Sequence, residues 1–303
     1  MDQHVPPLLR RGRGGRLQAL RHRPPAGARG TLRVHRDQAP QLRRQGDPVV
    51  DAPELAGQIA IVTGGARAIG RAIAETLAGR GATVVSVDLA SSDETVGAIE
   101  AAGGSALSLT ADVTDEQAVA AAFREVLDGY GRIDVLVNNA GLFAGIERRP
   151  FWEIDLAEWE HVLGVNVRSV FLCSRAVAEP MRAAGSGRIV NIASNVVTFG
   201  MANLMHYVAS KAAVIGMTRS MARELGPSGI AVNGVAPGLV TTEITTQTVS
   251  DEYRDLVAKG QCLQVPILPA DIAGAVAYLC SPSARMVTGQ TLLVNGGATM
   301  GPA

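Results

Sequence analysis

Tyr207 and Lys211 stand four residues apart in the stretch SNVVTFGMANLMHYVASK, which runs from Ser194 to Lys211. On a helix, that spacing stacks the two side chains on one face. An ammonium beside a phenol favours the phenolate and draws its pKa toward neutrality, so the pair suits proton exchange with an alkoxide. Ser194 closes the apolar run RIVNIAS, thirteen residues before Tyr207. A strand ending in serine, then a loop, then a helix bearing Tyr and Lys, brings two hydroxyls within reach of one carbonyl oxygen. Taken alone, Tyr-x-x-x-Lys is equally an ordinary surface pair, so the elements around it have to decide.

Those elements alternate between strand and helix. Residues 58–62 form a short apolar strand followed by Thr63-Gly64-Gly65-Ala66-Arg67-Ala68-Ile69-Gly70 and a helical pattern to Leu77. A glycine turn between strand and helix exposes backbone N–H groups at a positive helix end, which suits a pyrophosphate. Residues 82–87 give a second strand ending at Asp88, whose carboxylate can accept from ribose hydroxyls and repels a 2′-phosphate. Arg67 pulls the other way, since a cation in that turn can reach a phosphate. Further strands are expected at 105–109, 133–137, 188–193, 230–235 and 292–297. Long helices are expected at 155–184, where Pro180 interrupts, and at 207–225.

Together these motifs resemble the short-chain dehydrogenase/reductase family in its common form, over residues 55–298. The family turn is Thr-Gly-x-x-x-Gly-x-Gly, and Ala68 replaces the middle glycine; alanine tolerates helical angles, so binding is expected to survive. Asn138-Asn139-Ala140-Gly141 matches the family signature in full. The resemblance implies an α/β Rossmann-type doubly wound parallel sheet of about seven strands with helices on both faces. It implies a catalytic set of Asn166, Ser194, Tyr207 and Lys211, with Asn166 or the backbone near it holding a water beside Lys211. The cofactor residues it implies are Gly64, Arg67, Ala68, Ile69, Gly70, Asp88, Leu89, Asp112, Val113, Asn139, Ala140, Gly141, Tyr207, Lys211, Pro237, Gly238, Val240 and Thr242. In that set Val240 is expected to pair with the nicotinamide carboxamide through its backbone, and Thr242 to reach the carboxamide or a phosphate with its hydroxyl.

The expected reaction is NAD-dependent interconversion of a secondary alcohol and a ketone, with no metal. NAD, favoured by Asp88 over NADP, suggests alcohol oxidation; the lid is expected at residues 243–268, and the stretch QCLQVPILPADIAGAVAYL at 261–279 loosely resembles aryl-alkyl alcohol dehydrogenases of the family. A 3-oxoacyl-thioester reductase using NADPH is the alternative, and a non-catalytic dinucleotide-binding scaffold is a third reading. The substrate wall over 195–206 is largely apolar, and His206 is given no catalytic role. A homodimer or homotetramer is implied by the family habit of pairing the two long helices across a subunit interface.

The formal net charge of zero hides an asymmetry. Residues 1–50 carry 11 Arg, no Lys and 3 Asp, for a net +8, and the remainder carries a net −8. The first fifty residues are rich in Arg, Pro and Gly and show no apolar periodicity. They are expected to be a disordered, dispensable extension or an artefact of an upstream start codon, in preference to a nucleic-acid or membrane arm. Residues 51–303 are expected to form one Rossmann-type domain, acidic and without a nucleic-acid footprint. Cys173, Cys262 and Cys280 show neither metal nor disulfide spacing, which fits reduced cytoplasmic thiols. No apolar run is long enough to span a membrane.

Overall fold

Side chains along the first apolar run explain why the sheet lies at the centre. In β1 (Ile59–Thr63), Ile59 and Ile61 enter one apolar layer while Ala60 and Val62 enter the other. A strand covered on both faces needs apolar residues at every position, as parallel sheets with flanking helices do. The computed structural model describes residues 53–301, and the expectations for residues 1–50 lie outside them. Six more strands follow: β2 (Thr83–Asp88), β3 (Ser105–Thr110), β4 (Val135–Asn138), β5 (Gly187–Ile192), β6 (Ile230–Pro237) and β7 (Thr291–Val294). All pair in parallel, in the order β3-β2-β1-β4-β5-β6-β7.

The helices in chain order are α1 (Ala68–Gly79), α2 (Asp93–Ala101), α3 (Glu116–Tyr130), α4 (Leu156–Leu163), α5 (Ser169–Ala184), α6 (Val196–Phe199), α7 (Met205–Leu225), α8 (Glu243–Thr248), α9 (Asp251–Lys259) and α10 (Pro269–Cys280). One face of the sheet buries Ile73 and Leu77 of α1 with Ile272 and Val276 of α10. The opposite face buries Phe123 and Val126 of α3, Val177 and Met181 of α5, and Leu225 of α7. This is the doubly wound architecture expected. After β3 the chain crosses back to lay β4 on the other side of β1, so the loops leaving β1 and β4 diverge and open a crevice at the carboxyl edge.

Three local differences from the sequence reading bear on the site. The long helix at 155–184 is divided by a π-helical turn, Gly164–Arg168, that carries Asn166, and it continues past Pro180 to Ala184. The expected loop after Ser194 contains the short helix α6. Helix α7 begins at Met205, two residues before Tyr207, so Tyr207 already lies inside a formed turn.

Candidate active site

The turn between β1 and α1 is as tight as its glycines imply. Gly64 has φ +66°, and a Cβ on Gly70 would stand 1.9 Å from the Gly64 carbonyl oxygen. Thr63 locks this turn to the loop after β4. Its hydroxyl accepts from the N–H groups of Asn139 and Ala140, both at 3.1 Å. The Asn139 side chain donates to the carbonyls of Thr63 and Gly64, both at 3.0 Å. Asn138 turns inward instead and donates to Asn191 and Ser174, consistent with a loop-ordering role.

Ala68 corrects an expectation. It does not take ordinary helical angles but sits at φ +50°, in the left-handed region where the family's glycine is unstrained. For an L-residue that conformation costs about 1–2 kcal/mol. Its N–H points outward and donates to the Glu243 carboxylate at 2.9 Å, across from the start of α8. Asp88 caps its own strand end, accepting from Ala66 N–H at 3.1 Å and Ala90 N–H at 3.2 Å.

At the far side of the crevice, Ser194 follows the end of β5 by two residues, fixed by Ala193 N–H to the Val235 carbonyl and Asn195 N–H to the Pro237 carbonyl. Ser194, Tyr207 and Lys211 are all buried and line one cavity. Ser194 neighbours the Tyr207 phenol closely enough to pull its pKa down. The Lys211 ammonium lies 5.9 Å from the centre of the Tyr207 ring and donates to the Ile192 carbonyl at 3.0 Å. Phe143 packs on Tyr207, with ring centroids 5.2 Å apart.

Burial dominates the titration of this group. It pushes the Tyr207 phenol up to about 12, with the neighbouring Ser194 hydroxyl pulling the other way, and it lowers the Lys211 ammonium to about 8. The expected pull of the phenol toward neutrality is therefore not what this geometry yields. Desolvation raises the cost of a phenolate, and the same desolvation weakens the cation meant to stabilise it.

Asn166 lies beside this cavity without lining it. Its side-chain oxygen accepts from Leu142 N–H at 2.6 Å. Its amide donates to the Leu142 carbonyl at 3.1 Å and to the Ser210 hydroxyl at 3.0 Å. These bonds tie the loop after β4 to α7, one residue before Lys211. His206 is fully buried, with Nε2 facing the Glu158 carboxylate at 3.2 Å, so it braces α4 against α7.

The cavity holds about 950 Å³ and is lined by every expected cofactor residue, from Gly64 and Asp88 to Pro237 and Thr242. The Thr242 hydroxyl caps α8 by accepting from Thr245 N–H at 3.1 Å, and the Val240 carbonyl accepts from the Thr245 hydroxyl at 2.8 Å. Phe143, Phe199, Met201, Ile244 and Val257 contribute apolar side chains to the cavity wall. Sequence reading missed Thr63, Ser210 and Glu243. Thr63 was discernible as the first residue of the quoted turn, whereas Ser210 and Glu243 act through contacts that no local pattern announces.

A family model described as enoyl-(acyl carrier protein) reductase matches residues 64–299. The chain belongs to the short-chain dehydrogenase/reductase family. Within it, the 3-oxoacyl-(acyl-carrier-protein) reductase FabG of Vibrio cholerae is 40% identical over 250 residues, covering 81% of this chain and 99% of that protein. The same reductase name recurs among relatives of about this identity. The cis-4-hydroxycyclohexanecarboxylate dehydrogenase of Sinomonas cyclohexanicum is 41% identical over 246 residues, covering 81% and 98%. Among solved structures, that of a putative short-chain alcohol dehydrogenase from Sinorhizobium meliloti superposes with a TM-score of 0.77 at 34% identity, covering 82% of this chain and 98% of that one.

Short-chain dehydrogenase/reductases use a nicotinamide dinucleotide, and the residues present fit one. The start of α1 presents helix-end amides with no intrahelical acceptor, and glycine at 64 and 70 lets the turn pack closely on itself and on the loop after β4. A carboxylate stands at the end of β2, and the cavity runs from there to the buried phenol. Among the described residues, no group of His, Cys, Asp and Glu is arranged to hold a metal ion, and no helix is long and apolar enough to cross a membrane.

Proposed function

We propose that this chain reduces the 3-oxo group of an acyl thioester at the expense of a reduced nicotinamide dinucleotide. The reading that the sequence placed second thus moves ahead of the free secondary alcohol. The observation that carries it is the buried Ser194–Tyr207–Lys211 group, which lines one cavity together with the turn before α1. A protonated phenol beside a serine hydroxyl can give its proton to a developing alkoxide, and the reverse step returns it. The recurring reductase name among the relatives supports the same substrate class.

In this reading the dinucleotide, when bound, supplies hydride to the carbonyl carbon. Ser194 and Tyr207 both donate to the carbonyl oxygen and orient it. Tyr207 transfers its proton, and Lys211 steadies the phenolate that remains. Asn166 acts through Leu142 and Ser210 to hold these elements in place. The apolar wall and the lid at 243–268 exclude water from the transfer.

Asp88 supports NADH, because its carboxylate is fixed where it would oppose a 2′-phosphate. Arg67, exposed in the turn, supports NADPH as the second reading. Secondary-alcohol oxidation remains the second reading for substrate, favoured by the apolar wall and by the 41% identical dehydrogenase. We read the protein as a cytoplasmic homodimer or homotetramer. Its three cysteines are unpaired, and Phe171 on α5 is half uncovered where a partner's helix would pack.

The deciding experiment measures turnover of acetoacetyl thioesters with NADH and NADPH beside a panel of alcohols with NAD, using Tyr207→Phe as control. Faster reduction of the thioester supports the proposal, while turnover confined to alcohols replaces it with the second reading. Dinucleotide binding with no Tyr207-dependent turnover on either panel points to the scaffold.

A further inference from the structure

We infer that Glu243 belongs to the cofactor site as an anionic competitor that sets dinucleotide affinity. The inference rests on the dinucleotide-binding part of the proposed function and on no choice of substrate. The first amides of a helix lack intrahelical acceptors and attract anions. In α1 those are the N–H groups of Ala68, Ile69 and Gly70, the ones a pyrophosphate would use. One of them is already engaged, with Ala68 N–H donating to the Glu243 carboxylate at 2.9 Å across 175 residues of chain.

The backbone that bears this carboxylate is fixed by a built feature. Thr242 and Thr245 form a reciprocal cap on α8, with Thr245 N–H donating to the Thr242 hydroxyl and Thr242 N–H to the Thr245 hydroxyl. The Thr245 hydroxyl also bonds the Val240 carbonyl, and Thr241 N–H bonds the Ile267 carbonyl. Glu243 is therefore the first helical residue of a segment anchored at both ends of the lid. A carboxylate and a pyrophosphate cannot share one helix end without repulsion. Binding has to break the Glu243 contact, and release lets it form again.

The test is calorimetric titration of the wild type, Glu243→Gln and Glu243→Ala with NADH, NADPH and, as a phosphate-free probe, adenosine. Both variants are expected to bind the dinucleotides roughly two- to five-fold more tightly, the size of a charge interaction at a helix end, with adenosine affinity unchanged. Limited proteolysis gives a second readout. Without dinucleotide, the lid of Glu243→Gln should be cut faster than that of the wild type, and with saturating dinucleotide the two rates should converge. Equal or weaker dinucleotide binding by the variants overturns the inference and leaves the proposed function standing. So does an equal gain for adenosine. No dinucleotide binding by any of the three proteins overturns both.

Discussion

The Lys211 ammonium donates to the carbonyl of Ile192, two residues before Ser194, so this lysine is fastened to the strand that presents the serine. The fastening lies inside the protein, and burial holds the amine near 8 against 10.5 when free. Between those values the unfolded chain binds a proton that the folded chain lacks, so the stability linked to Lys211 rises with pH across the window. Tyr207 has the opposite sign. Raised from 10.0 to about 12, it keeps in the folded chain a proton that the unfolded chain loses, and its share of stability declines above pH 10. Urea unfolding of the wild type and Lys211→Met at about pH 8 and about pH 10.5 checks the first statement. The difference should shift in favour of the wild type at the higher pH, and a constant difference rules it out.

Replacing the phenol of Tyr207 with Phe removes the proton donor and little else. Turnover of the thioester is expected to fall at least ~100-fold and up to ~10,000-fold, with dinucleotide affinity changed less than about three-fold. Steady-state kinetics beside a binding titration separate the two quantities. A variant that loses affinity as heavily as turnover would make Tyr207 a binding residue.

Asn166 bridges Leu142 and Ser210 through three hydrogen bonds in a nearly sealed position. Asn166→Leu leaves the Leu142 amide and carbonyl without this partner. A loss of about 2–4 kcal/mol in unfolding free energy is expected, with kcat reduced in the folded fraction while KM for the dinucleotide changes less. Full stability with lost activity would favour the water-holding role over the bracing one.

Ala68 occupies left-handed backbone at φ +50°. Ala68→Gly relieves that strain and is expected to raise stability by about 1 kcal/mol after the added freedom of the unfolded chain is subtracted. Denaturant midpoints at constant slope measure it, and a destabilised glycine variant contradicts the assignment of strain.

Asp88 offers the direct handle on cofactor choice. Asp88→Asn removes a fixed negative charge at the end of β2 and is expected to shift the NADPH-to-NADH ratio of kcat/KM about ten-fold toward NADPH, a shift of about 1.4 kcal/mol. An unchanged ratio would assign Asp88 to capping alone, a role its bonds to Ala66 and Ala90 already supply.

The sheet was legible in the sequence because its central strands, buried on both faces, write themselves as continuous apolar runs; the edge strands β3 and β7 are only partly buried, yet they too appear close to where they were expected. Helix α2 was not legible, since DETVGAIEA carries a weak apolar stripe between two strong strands. The cavity lining was legible because the motifs lie at strand ends, where the architecture gathers them. What escaped was pairwise. The bond from Glu243 to Ala68 joins residues 175 apart, and the brace from Asn166 to Ser210 depends on a π-turn that no periodicity marks. The titration of Tyr207 was misjudged for a related reason. Spacing shows that a lysine is near the phenol, but only packing shows that both are dry.

The chain carries just two lysines. Lys211 is sealed, at 5% exposure, while Lys259 ends α9 in the open. Apart from any terminal amine, a succinimidyl dye therefore has one ready attachment point, and it sits at the end of α9, whose Tyr253 and Val257 line the cavity. The native molecule thus offers a place for a fluorescent reporter of cleft opening, with no residue needing to be engineered for it.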